Sequence, residues 1–170
     1  MTLFGILLVL AQSAAPDLSG TWKLDAERSR IATEVGWPGL IGAGAPDKLH
    51  ITHAANGTVV IESEINESHA RIYKPGGAKT ATPVAVTGSI TMSSRWEGRA
   101  LSSEGTLTPP SGQPSTVKET LALSEDGRTL TVEIGTTGPA GTNASTLTYV
   151  RTDSVDPCEK WPTPCKPPGK

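Results

Sequence analysis

Six polar side chains fall in step with the apolar residues of the strand-like segments that contain them: His53, Ser63, Ser94, Ser103, Glu119 and Arg151. Hydroxyl, imidazole and carboxylate groups turned toward a closed interior have one obvious chemistry. They hydrogen-bond and orient a small ligand whose body is held by apolar contacts. A carboxylate taken out of water needs a cation beside it, and Arg151 is the partner the sequence offers Glu119. The competing reading puts these residues at strand ends in water, or lets the serines fill the taper of a narrow barrel.

Other chemistries find little support. His50 and His53 lie three apart in a strand-like run, so they point to opposite faces and cannot share a metal ion. No metal site is expected. No Gly-x-Ser-x-Gly occurs, and Gly76–Lys79 lacks the helix and spacing of a phosphate loop. No catalytic residue and no cofactor is assigned. A formal net charge of -2 and an aromatic share of 4% point away from nucleic acid, which calls for cationic grooves and stacking rings.

The elements that position the six polar residues are strands. Gly and Pro are plentiful, at 18 and 14 residues, and they punctuate short alternating runs. In each run one parity is apolar: Trp22 and Leu24; Leu49 and Ile51; Val59, Ile61 and Ile65; Ile90, Met92 and Trp96; Leu101 and Leu107. Val117, Leu121 and Leu123 continue it, then Leu130, Val132 and Ile134, then Leu147 and Tyr149. The other parity is largely Thr, Ser, Glu, Lys and Arg, as in an antiparallel sheet with one wet face. Asn56-Gly57, Glu97-Gly98 and Asp126-Gly127 mark hairpin turns between runs. The pattern predicts an all-β, antiparallel up-and-down barrel of about eight to nine strands, because closure removes exposed edges. Its polar outer faces exclude an outer-membrane barrel.

Residues 1–15 carry a short apolar run, "LFGILLVLA", followed by small residues, which reads as a signal peptide too short to span a bilayer. The expectation is an exported protein, periplasmic or secreted, with no membrane span in the mature chain. The barrel is assigned to residues 17–153 and a proline-rich tail to 154–170. Cys158 and Cys165, the only cysteines, lie in that tail, and in an oxidising compartment they are expected to form a disulfide. The long connection after the first strand carries Trp37, Leu40 and Ile41 among glycines, a composition suited to a lid over a barrel mouth.

"DLSGTWKLDAERS", from Asp17 to Ser29, resembles the N-terminal signature of small exported bacterial lipocalin-like proteins of the calycin type. "SSRWEGRAL", "ETLALSEDGRTLTVEI" and the closing "STLTYVRT" resemble their later strands, in the same order. The resemblance covers Asp17 to Asp153. It implies an up-and-down barrel with an internal cavity, and it carries over no catalytic residues. In lipocalins the Trp of Gly-x-Trp sits at the closed barrel end under a basic residue of the last strand. The resemblance implies that role for Trp22, after Gly20 and Thr21, with Arg151 as the basic partner. The leading expectation is a protein that binds a small, mostly apolar ligand through His53, Ser63, Ser94, Ser103, Glu119, Trp37 and Leu40. The alternative is a structural or interaction module of the cell envelope with a filled core.

Overall fold

The computed structural model describes residues 15–32, 45–63, 70–83, 88–110, 112–139 and 141–152. Among them are ten strands: β1 (Gly20–Leu24), β2 (Lys48–His53), β3 (Val59–Ser63), β4 (Arg71–Tyr73), β5 (Thr80–Pro83), β6 (Ser89–Glu97), β7 (Ala100–Thr108), β8 (Ser115–Leu123), β9 (Thr129–Gly138) and β10 (Gly141–Thr152). They form one sheet in the order β4-β3-β2-β1-β10-β9-β8-β7-β6-β5, antiparallel at every ladder. The sheet is a nearly closed up-and-down barrel. Ten strands replace the expected eight to nine because β5 was not foreseen. In its sequence Thr80-Ala81-Thr82-Pro83 the threonines are buried and the alanine is exposed, which inverts the usual hydropathy signal.

The alternation read from the sequence sets the register. Across β6 to β9 the inward row Trp96, Leu101, Leu121 and Val132 continues to Leu147 of β10. The outward neighbours Arg95, Glu104, Lys118 and Glu133 are exposed. The core is a single cluster running from Leu18 and Trp22 to Tyr149. Each fully buried Leu, Ile or Val in it contributes roughly 1.5–3 kcal/mol by leaving water.

The barrel's two ends differ. At the lower end lie the β2–β3, β6–β7 and β8–β9 turns. Their geometry is local: Asp126 Oδ1 accepts hydrogen bonds from the Ser124 hydroxyl at 2.6 Å and the Arg128 amide at 3.0 Å. Gly127 between them has φ of 70°, which a side chain would make costly. At the upper end lie the β9–β10 turn and both ends of the long β1–β2 connection. The start of that connection follows β10, with Arg30 bridged to Thr146 and the Ala32 amide bonded to Ser145 Oγ at 2.7 Å. Trp37 and Leu40, the expected lid residues, fall outside the described residues. So do the leader and both tail cysteines.

Strands β4 and β5 end the sheet, and no ladder joins them to each other. The seam is fastened just beyond β4, where Pro75 bridges Ser94 and the Gly76 amide donates to the Ser94 carbonyl at 2.9 Å.

Candidate functional site

The largest polar group of the interior is built from β4 and β8. Arg71, Tyr73 and Glu119 all have inward side chains, and all three are fully buried. Arg71 Nη2 donates to Glu119 Oε1, forming an ion pair. The Tyr73 hydroxyl donates to Glu119 Oε2 at 2.8 Å. Counted across the seam between the sheet's two ends, only β7, β6 and β5 lie between β8 and β4, so the cluster spans the seam side of the interior.

Electrostatics follow from that burial. Desolvation pushes the Tyr73 phenol well above its ordinary pKa, and the facing carboxylate adds to the effect. Desolvation acts downward on Arg71, but the Glu119 carboxylate outweighs it and holds the guanidinium above its usual value. The two groups form an ion pair shielded from solvent. Such an arrangement survives only with both partners present.

The sequence offered Arg151 both to Glu119 and to Trp22, and the structure gives it to Trp22. Arg151 is committed to the lower end, where its guanidinium lies over the Trp22 ring at 4.4 Å from the centroid. It donates to the carbonyls of Gly127, at 2.9 Å, and of Ser19. Glu119 faces β4 instead. The Arg151 stack also explains the glycine of Gly-x-Trp. A Cβ on Gly20 would lie 2.6 Å from Arg151 Nη1, and its φ of 134° is one that other residues rarely adopt. Trp22 is fully buried, and its Nε1 donates to the Leu18 carbonyl at 3.1 Å.

The remaining candidates separate into groups. Ser94 and Ser103 face each other across β6 and β7 and share a hydrogen bond at 2.8 Å. They lie in one cross-strand row with Glu119. Ser63, 1% exposed, has a hydroxyl with no hydrogen-bond partner among the described residues. It stands on β3 two residues above Ile61, which is paired with Arg71.

His53 belongs elsewhere, at the lower end. Its ring stacks on Trp96, with centroids 5.7 Å apart and planes at 28°, and its Nδ1 is 3.8 Å from Asp17 Oδ1. His50 occupies the outer face between Thr21 of β1 and Glu62 of β3. Among the described residues, no three His, Cys, Asp or Glu side chains converge as a metal site. No helix among them is long and apolar enough to cross a membrane.

Arg71 and Tyr73 were missed by the sequence reading. "RIY" places an isoleucine between two polar-capable residues, so the hydropathy pattern points Ile72 inward. In the folded chain Ile72 is half-buried, and Arg71 and Tyr73 turn in. The signal that could have found them is Glu119 itself, a carboxylate on an apolar parity that demands a cation.

Above the Glu119 row the barrel interior is built from Ile90, Met92, Leu107 and Val117, with buried hydroxyls on Thr80, Thr82 and Thr136. The barrel is compatible with the lipocalin-like fold that the sequence resembles. No protein-family model matches the chain, and no curated protein matches it.

Proposed function

We propose that this is an exported binding protein whose barrel holds a small, mostly apolar molecule. The observation that carries the reading is the upper half of the barrel interior: aliphatic walls, several buried hydroxyls and one of them, Ser63 Oγ, with no hydrogen-bond partner among the described residues. A buried polar group without a partner costs about 1–3 kcal/mol, and a ligand's hydrogen bond would recover it. Barrel diameter grows with strand number, and eight strands already suffice for one small ligand, so ten give room. The first connection leaves β1 and returns to β2 at this same end, which suits Trp37 and Leu40 to covering the mouth. The lipocalin-like resemblance over Asp17–Asp153 and the leader at residues 1–15 support the same reading, including export to the periplasm or beyond.

One observation favours the filled-core module instead. Both oxygens of Glu119 are bonded within the barrel, and Ser94 and Ser103 satisfy each other. Native mass spectrometry of protein purified from its own host separates the two readings. A retained small molecule, released on denaturation, supports binding. A bare mass, together with no uptake of an apolar fluorescent probe, supports the filled core.

A further inference from the structure

The binding reading leaves the ligand's polar group undefined, and the charge distribution of the lumen constrains it. Around the Glu119 row, the buried inward titratable side chains among the described residues are Arg71, Tyr73 and Glu119, while Tyr149 spends its hydroxyl on the Pro46 carbonyl. Arg71 and Glu119 cancel each other at contact distance. Tyr73 keeps its proton, since burial and the neighbouring carboxylate both raise its pKa. The other inward polar groups there are hydroxyls.

We infer that the site selects an uncharged amphiphile, with an aliphatic or alicyclic body and a hydroxyl or carbonyl group placed at Ser63 beside the Arg71–Glu119–Tyr73 cluster. This inference rests on the proposed binding function and narrows it. The reason is desolvation: a carboxylate entering this space loses its hydration and meets a cation already neutralised, with the Glu119 charge close by. An ammonium group meets the mirror-image problem, because the Glu119 carboxylate is held by Arg71. A neutral hydroxyl or carbonyl needs one hydrogen-bond partner, and Ser63 Oγ is both donor and acceptor.

The test is competition by decanol, decanoate and decylamine against an apolar fluorescent probe bound to the native protein at neutral pH. Decanol is expected to displace the probe with an affinity at least about tenfold above that of either charged analogue. Glu119→Gln frees the Arg71 charge, so decanoate should gain at least about tenfold relative to decanol. Ser63→Ala should weaken decanol and leave the relative order of the charged analogues unchanged. Near-ultraviolet circular dichroism reports whether each variant keeps its packed core. If E119Q does not fold, the order of the three ligands on the native protein decides. Tighter binding of decanoate or decylamine than of decanol overturns the selectivity and leaves the binding function standing. Failure to bind the probe or any of the three overturns both.

Discussion

Removing one member of the buried cluster should do more harm than removing all of it. Glu119→Ala leaves the Arg71 guanidinium in a dry interior without its counter-ion, a change that costs about 3–5 kcal/mol in comparable buried pairs. The Tyr73 hydroxyl loses its acceptor in the same step, for roughly 1–3 kcal/mol more. The two losses share the same solvent rearrangement and do not simply add, so about 4–6 kcal/mol is the expected total. For a domain of this size that is a fall in melting temperature of about 10–20 °C, at about 2–4 °C per kcal/mol. Replacing the whole cluster, as Arg71→Met, Glu119→Met and Tyr73→Phe together, removes the cluster's buried charges and leaves none of its polar groups behind. The triple variant should melt within about 5 °C of the parent, because well-packed apolar substitutes for a buried pair are often neutral or better. Denaturant unfolding followed by tryptophan fluorescence supplies the free energies alongside the calorimetric midpoints. If Glu119→Ala costs less than about 1 kcal/mol, the cluster is reached by water and the electrostatic account of the lumen is wrong. A triple variant as damaged as the single would show that shape, and not charge, holds β4 against β8.

Three further outcomes are expected. Trp22→Ala should lower stability by about 3–5 kcal/mol, since it empties a large buried site and strips Arg151 of its stacking face; Gly20→Ala should destabilise through the same contact, by displacing Arg151, and thermal melts beside the parent measure both. Burial holds the His50 imidazole below its ordinary pKa while Glu62 pulls the other way, so the unfolded chain takes up the proton first. Its contribution to stability is therefore complete above about pH 6.5 and is lost as the pH falls through that value toward the folded pKa. Melts at about pH 7.5 and pH 5.5 should show a smaller acid loss in His50→Gln than in the parent. Thiol titration of exported protein should find Cys158 and Cys165 oxidised, and reduction should barely shift the barrel's melting because the bridged loop is short.

The fold was legible where strands were long enough to repeat their alternation. Strands β6 to β10 each show several inward positions, and Ile90, Met92, Ser94 and Trp96 fix the facing of β6 without outside help. Ser94, Ser103 and Glu119 could be assigned inward for that reason. Three-residue β4 shows no period, and its single aliphatic, Ile72, points the less buried way. Four-residue β5 buries hydroxyls. Strands this short take their facing from tertiary contacts, here the Glu119 carboxylate and the bridge from Pro75 to Ser94, which a local pattern cannot contain. Glu119's need for a cation was readable. Which arginine met it was not, because the choice depends on Arg151 being held by Trp22 and by carbonyls distant in sequence.

The place of the seam bears on how the barrel comes together. Every ladder but one joins strands adjacent in sequence, and the exception, β1 with β10, brings together the two ends of the described chain. That pairing closes nearly the longest loop the molecule can form, and loop-closure entropy makes it slow relative to the hairpins. The covalent connection between β4 and β5 meanwhile runs through the exposed stretch Gly77–Lys79, where no ladder depends on it. A circular permutant opened there, with a short linker joining Thr152 to Asp17, would turn the most distant pairing into a hairpin. It should fold faster than the natural chain and reach the same barrel, with the Arg71–Glu119 pair now tying its last strand, β4, to β8.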